Sequence, residues 1–209
     1  MSRLRRLNEP IVDRQITTER RPAMAHELET FLAIWDGEAR KTADLMRALP
    51  EDSYDFRPDA GGRSVGELAW HLAEGDAYNS LGVEQRGFDR GELRPPGIER
   101  PRTIAALASG YERIHAEAAA RLRRLAAEDL SARVRYFDGK ERPISDVLWS
   151  GILFHHIHHR GQLSCLCRMA GGVSPGMYGP NREEMKAMRA QAGQAQQQEK
   201  QPPATQVTA

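Results

Sequence analysis

The sequence predicts an all-α protein that folds as a four-helix bundle with one long crossover. Four segments place apolar residues at the three- and four-residue spacing of a buried helical stripe. They cover residues 24–49, 64–83, 103–126 and 143–169. Proline and glycine separate the segments, and residues 85–102 form a connection long enough to cross the bundle. The sequence contains no internal repeat and no alternating series of strands.

Local signals predict where each helix begins or ends. Pro50 ends the first helix, because proline cannot continue the backbone hydrogen-bond ladder. Ser64 and Glu67 form a capping box at the start of the second helix, where each side chain satisfies a free backbone N–H. Thr103 suits the N-cap of the third helix, and Pro143 suits the first turn of the fourth.

Glycine marks both boundaries of the fourth helix. Asp138 and Gly139 precede it and predict a small hairpin or tight turn. Gly171 and Gly172 follow it and are typical of a helix C-terminus.

Both ends of the chain differ from the helical region. Residues 1–22 carry six arginines against three acidic residues, and we treat them as a basic arm without assigned structure. From about Gln191 the composition is reduced to Gln, Ala, Pro and Thr, which cannot bury enough apolar surface to offset the entropy of ordering. The predicted domains are the arm over 1–22, the bundle over 23–185 and a disordered tail over 186–209.

Composition excludes several classes of protein. Lys and Arg total 30 and Asp and Glu total 29, so the basic surplus of a general nucleic-acid binder is missing. Mean hydropathy is −0.63, and no apolar run reaches the roughly 18 residues of a membrane-spanning helix. Cys165 and Cys167 are the only cysteines and lie about 200° apart on one helix, so they cannot bridge each other. With no apolar stretch after the basic N-terminus, we expect a cytoplasmic protein.

Four of the seven histidines lie within the segment HHIHH, residues 155–159. On an α-helix, His155 and His159 are one turn apart and about 40° from each other, so both project from one face. His156 lies about 100° to one side of His155, and His158 lies about 60° to the other side. Two imidazoles at the four-residue spacing can bind one metal ion.

His71 offers a third imidazole from the second helix. Its helical face is small or polar, because Gly75, Tyr78 and Gly82 lie within about 40° of it, where a core face would have Leu or Ile. Small residues leave room for a ligand beside the histidine. Three histidines with an open fourth position are the ligand set of catalytic Zn²⁺ or a similar divalent metal.

Structural explanations for these residues stay open at this point. A single buried histidine is more often a hydrogen-bonded core residue than a metal ligand. HHIHH can also be a solvated patch, which suits His156 and His158 best. Glu74, three residues after the histidine of the second helix, either hydrogen-bonds an imidazole or is exposed. His115 has no partner in the sequence, and the HExxH motif of zinc proteases is absent.

Three motifs together resemble the DinB/YfiT-like superfamily. RSVGELAWHLAEGDAY (residues 63–78) is similar to the second-helix motif of that family, HHIHHRGQL (155–163) to its fourth-helix motif, and GGVSPGMYGP (171–180) to its usual exit segment. The similarity covers roughly residues 27–185. It implies an up-down-down-up four-helix bundle, often a homodimer, with one divalent metal such as Zn or Ni. Carried onto this sequence, the implied ligands are His71, His155 and His159.

The resemblance also implies a function. Some members transfer a low-molecular-weight thiol to an electrophile, or use such a thiol as a cofactor in isomerisation. We therefore expect a metal-dependent thiol transferase acting on a small molecule, or a hydrolase that uses metal-bound water, since a divalent cation lowers the pKa of a coordinated thiol or water. The alternative is a non-catalytic, metal-containing stress-response bundle. A membrane or nucleic-acid partner is not expected.

Overall fold

The computed structural model describes residues 11–89 and 91–199, with side chains described for 24–89, 91–194 and 196. It confirms the all-α prediction and the four-helix bundle. The bundle helices are α1 (Ile11–Arg47), α2 (Val65–Gln85), α3 (Leu107–Leu122) and α4 (residues 144–169). Within the described ranges, no helix combines the length and apolar character needed to cross a membrane.

Helices α1 and α3 have boundaries that differ from the prediction. Helix α1 begins at Ile11, so it includes half of the segment treated as a basic arm, whose residues 1–10 lie outside the described ranges. Helix α3 is preceded by a 3₁₀ turn, Ile104–Ala106, and ends at Leu122, four residues earlier than expected. The capping box at the start of α2 is present, with Glu67 N donating to Ser64 Oγ at 3.3 Å.

A two-stranded antiparallel hairpin connects α3 to α4. Strands β1 (Arg133–Arg135) and β2 (Glu141–Pro143) pair with Val134 opposite Arg142, after a second 3₁₀ turn over Ala127–Ser131. Gly139 in the connecting turn has a φ of 78°, which glycine adopts without steric cost. The hairpin predicted from Asp-Gly is therefore present, and it lies over one end of the bundle.

Helix α4 is continuous but not uniform. It begins as a short α-helical turn, Ile144–Asp146, continues as a π-helical stretch, Val147–Phe154, and returns to α-helix over His155–Met169. Stretches of π-helix are rare and occur frequently at functional sites. Here the change back to α-helix falls at the first residue of HHIHH.

The apolar core forms two clusters along the bundle. One contains Trp70 and Tyr111, both fully buried, and draws residues from all four helices. The other contains Phe31 and Trp35 of α1, whose rings stack with centroids 5.6 Å apart, and packs them against the hairpin and the π-helical stretch. Leu153 belongs to this second cluster and is buried within the chain. The homodimer implied by the family resemblance stays a prediction.

A polar network lies inside the bundle, and it includes two histidines of the sequence analysis. His156 is buried, with Nε2 2.7 Å from Thr42 Oγ1 and Nδ1 3.4 Å from Asp76 Oδ1. His115 places its two ring nitrogens 3.0 Å from carboxylate oxygens of Asp76 and Asp36. The interpretation of His156 as part of a solvated patch is therefore wrong, because it has polar partners in the core.

This network shifts the pKa values of Asp76 and His115. Burial raises the pKa of Asp76, but His156 and His115 outweigh that effect and hold it below its usual range. Burial lowers the pKa of His115, but Asp76 and Asp36 outweigh it and raise the pKa. Both nitrogens of His115 face acceptors, which is the arrangement expected for a protonated imidazole.

A second buried pair joins α4 to α1. The guanidinium of Arg160 donates to Glu38 Oε2 and, at 2.9 Å, to the Glu38 carbonyl oxygen. Tyr178, in the segment after α4, accepts from Arg160 at 2.6 Å and donates its hydroxyl proton to Glu38. Lys41 Nζ lies 4.2 Å from the centre of the Tyr178 ring. The exit segment is thereby held on α1.

The C-terminal segment differs from the predicted disordered tail as far as it is described. Helix α5 covers Arg182–Glu199, although the sequence analysis assigned residues 186–209 to a disordered tail. Asn181 and Glu184 form a capping box, with Glu184 N donating to Asn181 Oδ1 at 2.7 Å and Asn181 N donating to Glu184 Oε2 at 3.0 Å. Strong helix formers, Ala, Gln, Glu, Met, Lys and Arg, fill this largely exposed helix. The residues beyond Glu199 lie outside the described ranges.

The Glu38–Arg160 pair predicts an acid-sensitive stability. Burial raises the pKa of Glu38, but hydrogen bonds from Lys41, Tyr178 and Arg160 lower it to about 2. Because the folded pKa lies below the ordinary value of 4.5, the stabilisation is complete above that value and is lost as pH falls toward 2. Replacing Glu38 with Gln leaves the buried Arg160 charge uncompensated and should lower the free energy of unfolding at pH 7 by about 3 kcal/mol.

Thermal melts of wild type and Glu38→Gln between pH 7 and pH 2.5 test this prediction. The difference in Tm should be largest at pH 7 and should shrink below pH 5. The exposed Glu51→Gln is the matched control, and its Tm should follow wild type at every pH. A Tm difference for Glu38→Gln that is independent of pH contradicts the prediction.

Candidate metal centre

Helices α2 and α4 bring His71, His155 and His159 together. One ring nitrogen from each residue lies within 4.8 Å of the other two. The ring of His71 is 5.1 Å from that of His155 and 4.6 Å from that of His159, and the latter two are 4.4 Å apart, measured between centroids. All three side chains are half-buried, so they are sheltered but open to a ligand. These are the three residues that the sequence analysis selected.

A glycine lets the two helices approach at this point. A Cβ atom at Gly75 would lie 3.5 Å from His155 Nδ1, so a side chain longer than alanine would enter the space of the ring. Gly75 is one turn after His71 on α2, and the small face predicted from the sequence is therefore the face that receives α4. The backbone of α2 consequently forms one wall of the histidine cluster.

Two side chains orient the imidazoles. Nδ1 of His159 lies 2.7 Å from Gln162 Oε1, and because an amide oxygen only accepts, Nδ1 carries the proton and Nε2 keeps its lone pair. Nδ1 of His71 lies 3.5 Å from Glu74 Oε2. Glu74 is half-buried, and this distance is the only contact between the two side chains that the described residues show. A partner on the second nitrogen is the usual companion of a metal-binding histidine.

The electrostatics favour neutral imidazoles. Burial lowers the pKa of His155, and the neighbouring imidazoles His159 and His71 lower it further, to about 4. Burial also lowers the pKa of His159, against the effect of its hydrogen bond to Gln162. At neutral pH these two rings are therefore unprotonated, which is the form that binds a metal. The donor atoms and their spacing fit one divalent ion.

Two cavities are lined by residues of the cluster. The hairpin cavity, of about 550 Å³, is lined by residues that include His71, His155, Glu74, Asn79 and Tyr136. The Cys165 cavity, of about 610 Å³, is lined by residues that include His159, Leu68, Gln162, Cys165 and Leu166. Arg63 lines both. Each clustered histidine therefore borders one of the two cavities.

The hairpin forms one wall of the first cavity and is tied to α2. The Tyr136 hydroxyl donates to Asn79 Oδ1 at 2.9 Å, and Asn79 Nδ2 donates to the Gly75 carbonyl at 2.8 Å. Gly151 permits this contact, because a Cβ atom there would lie 2.9 Å from the Tyr136 hydroxyl oxygen. This wall was not predicted, because the hairpin sequence alone does not indicate which part of the bundle the hairpin packs against.

The remaining candidates fall outside the cluster. His158 is exposed, with its ring centre 4.9 Å from that of His159, and His26 is also exposed. Cys167 is buried, whereas Cys165 is exposed and lines a cavity together with His159. The sequence analysis missed Gln162 and Arg63 as well. Gln162 had a readable signal, because a residue three positions after a helical histidine lies on the same face.

Comparisons with known proteins agree with this fold. The Bacillus subtilis protein YrdA is 28% identical over 164 residues, which cover 77% of this chain and 93% of YrdA. A DinB-like protein from Bacillus cereus has a crystal structure with a TM-score of 0.60 and 28% identity, covering 72% of this chain and 97% of the other. A second DinB-like protein, YjoA of B. subtilis, shares the fold with a TM-score of 0.59, at 20% identity over 73% of this chain and 99% of its own.

The sequence model described as the DinB family matches residues 24–200. That range contains all four bundle helices from Met24 onward, the three clustered histidines and the exit segment. This chain belongs to the DinB family.

Proposed function

We propose that His71, His155 and His159 bind one divalent metal ion and that this centre activates a small thiol for attack on an electrophilic small molecule. The observation that carries the proposal is the convergence of three imidazoles that line two cavities. A centre that only stabilised the bundle would need no access, whereas a reaction between two molecules needs a place for each. Attack by water is the alternative chemistry at the same centre.

The ligand set supports an open site. Three histidine nitrogens leave a fourth position free for a substrate, as in catalytic zinc centres, and imidazole also suits nickel and related metals. When bound, a divalent ion supplies Lewis acidity that lowers the pKa of a coordinated thiol or water.

The residues of this chain supply position and shelter. Gln162 holds the protonated nitrogen of His159, which turns its free lone pair toward the cluster. The Tyr136–Asn79 contact holds the hairpin beside one of the two cavities. The unprotonated state of His155 at neutral pH leaves it ready to bind without releasing a proton.

Turnover with a thiol and monochlorobimane tests the proposed reaction. Protein purified without a histidine tag, and loaded in turn with Zn²⁺ and Ni²⁺, should accelerate the conjugation of a small thiol with the dye. The chelated protein should return to the uncatalysed rate. Rates that are equal with and without metal across a panel of thiols and electrophiles would contradict thiol transfer and leave hydrolysis to be assayed.

Replacement of single histidines tests the ligand assignment. His71→Ala, His155→Ala and His159→Ala should each lose most of the bound metal, because each leaves two protein ligands. The matched control is His158→Ala, which removes the same residue type from the same helical turn but from an exposed position, and it should retain stoichiometric metal. Metal content by mass spectrometry of purified proteins is the measurement.

A nonspecific histidine patch gives a different result, since each deletion, including His158→Ala, would then remove a similar fraction of metal. His156→Ala is not a suitable control. That side chain is buried on Thr42 and Asp76, so its loss should lower the Tm whether or not metal is present.

Gln162 is predicted to tune metal affinity without binding the metal. Gln162→Leu removes the acceptor for His159 Nδ1–H and should weaken metal binding by about 10- to 100-fold, the usual cost of losing such a partner. Gln162→Glu retains an acceptor oxygen and should preserve the affinity. Competition with a chromophoric chelator measures the metal affinity of both variants. Equal losses of affinity in the two would contradict an orienting role for Gln162.

A further inference from the structure

Arg63 is an exposed cation that borders the histidine cluster. It lies immediately before the N-cap of α2 and lines both cavities. Its neighbours in the fold are paired: Arg57 contacts Glu67 at 3.2 Å and the Gly62 carbonyl at 3.0 Å, and Arg100 lies 3.7 Å from Glu67. Among the residues that the structure describes, Arg63 makes no hydrogen bond or ion pair.

The two cavities differ in charge. The hairpin cavity contains two carboxylates, Glu74 beside His71 and Asp138, which is paired with Arg142. Among the described residues, the lining of the Cys165 cavity contains no acidic side chain, and its other walls include Leu68 and Leu166. An anion is therefore opposed by nearby negative charge on the hairpin side and meets only Arg63 on the other side.

The ligand set adds to this preference. Three imidazoles carry no negative charge, so they would leave the charge of a divalent ion uncompensated. A molecule that brings both a thiolate and a second anionic group would neutralise the metal and Arg63 together. The guanidinium group matches a carboxylate, because its N–H groups can form two parallel charge-assisted hydrogen bonds.

We propose that Arg63 binds a carboxylate of the thiol substrate, and that this carboxylate-bearing thiol occupies the Cys165 cavity. The inference rests on the proposed function, since it names the class of thiol used at the same centre. The electrophile then approaches through the hairpin cavity. Arg63 is assigned as the residue that selects the thiol.

Binding of two small thiols to the Co²⁺-loaded full chain tests the selection. Absorption spectroscopy follows the thiolate-to-cobalt band during titration with 3-mercaptopropionate, which has a carboxylate, and with 2-mercaptoethanol, which has a hydroxyl in its place. Wild type should bind the carboxylate thiol about tenfold more tightly, the size expected for one hydrogen-bonded charge pair. Arg63→Gln should bind both thiols with the affinity of 2-mercaptoethanol.

The matched control is Arg102→Gln, which changes the net charge equally at an exposed position that lines neither cavity, and it should keep the preference. A wild type without preference, or an Arg63→Gln that retains it, overturns the proposal while leaving metal binding intact. If the protein takes up no Co²⁺, the proposed function itself fails. The cobalt spectrum recorded before any thiol is added distinguishes these cases.

Blocking the cavity tests where the thiol binds. N-ethylmaleimide should modify Cys165 and spare the buried Cys167, as mass spectrometry of the intact protein can verify. The modified protein should keep its Co²⁺ spectrum and bind 3-mercaptopropionate at least tenfold more weakly. Unchanged affinity after complete modification of Cys165 would overturn the assignment of this cavity.

Discussion

The burial of His156 and Arg160 is the constraint on which the histidine cluster depends. These residues are one turn apart on α4. His156 directly follows His155 in the sequence, and Arg160 directly follows His159. His156 hydrogen-bonds Thr42 and lies 3.4 Å from the Asp76 carboxylate, and Arg160 pairs with Glu38. A helix with two such polar anchors in the core cannot rotate about its axis without leaving buried charge unpaired. The anchors therefore set the direction in which His155 and His159 face α2.

The fold and the cluster were largely readable from the sequence because both depend on helical periodicity. The four-residue spacing of His155 and His159, and the small face around His71, are local patterns that survive folding. The helical angles also separated His156 from this pair, but they could not show that the side of α4 carrying His156 faces the core. Which side faces the core depends on Asp76 and Glu38. Each lies at least 80 residues away in the sequence from the α4 residue that it contacts. Contacts of this kind are visible only after the helices are assembled.

Other features lay beyond the sequence for different reasons. An arginine before a helix is ordinarily solvated, so nothing distinguished Arg63 until its neighbours were seen to be paired with one another. The two cavities depend on where the hairpin lies, and a three-residue strand carries no signal of its position. The helix after Asn181 was readable, because Asn followed by Glu three residues later is a capping signal. The glutamine-rich composition concealed it, since low hydrophobicity argues against burial but not against an exposed helix.

The π-helical stretch of α4 separates the two functions of that helix. In a π-helix each residue turns the chain through a smaller angle than in an α-helix. The stretch therefore changes the direction in which the side chains after it project. Residues of the stretch itself pack with the hairpin, and residues after it carry the cluster and its anchors. The two halves consequently need not share one angular register. Over evolutionary time, the hairpin end could change its packing, and with it the shape of the adjoining cavity, without redirecting the histidines.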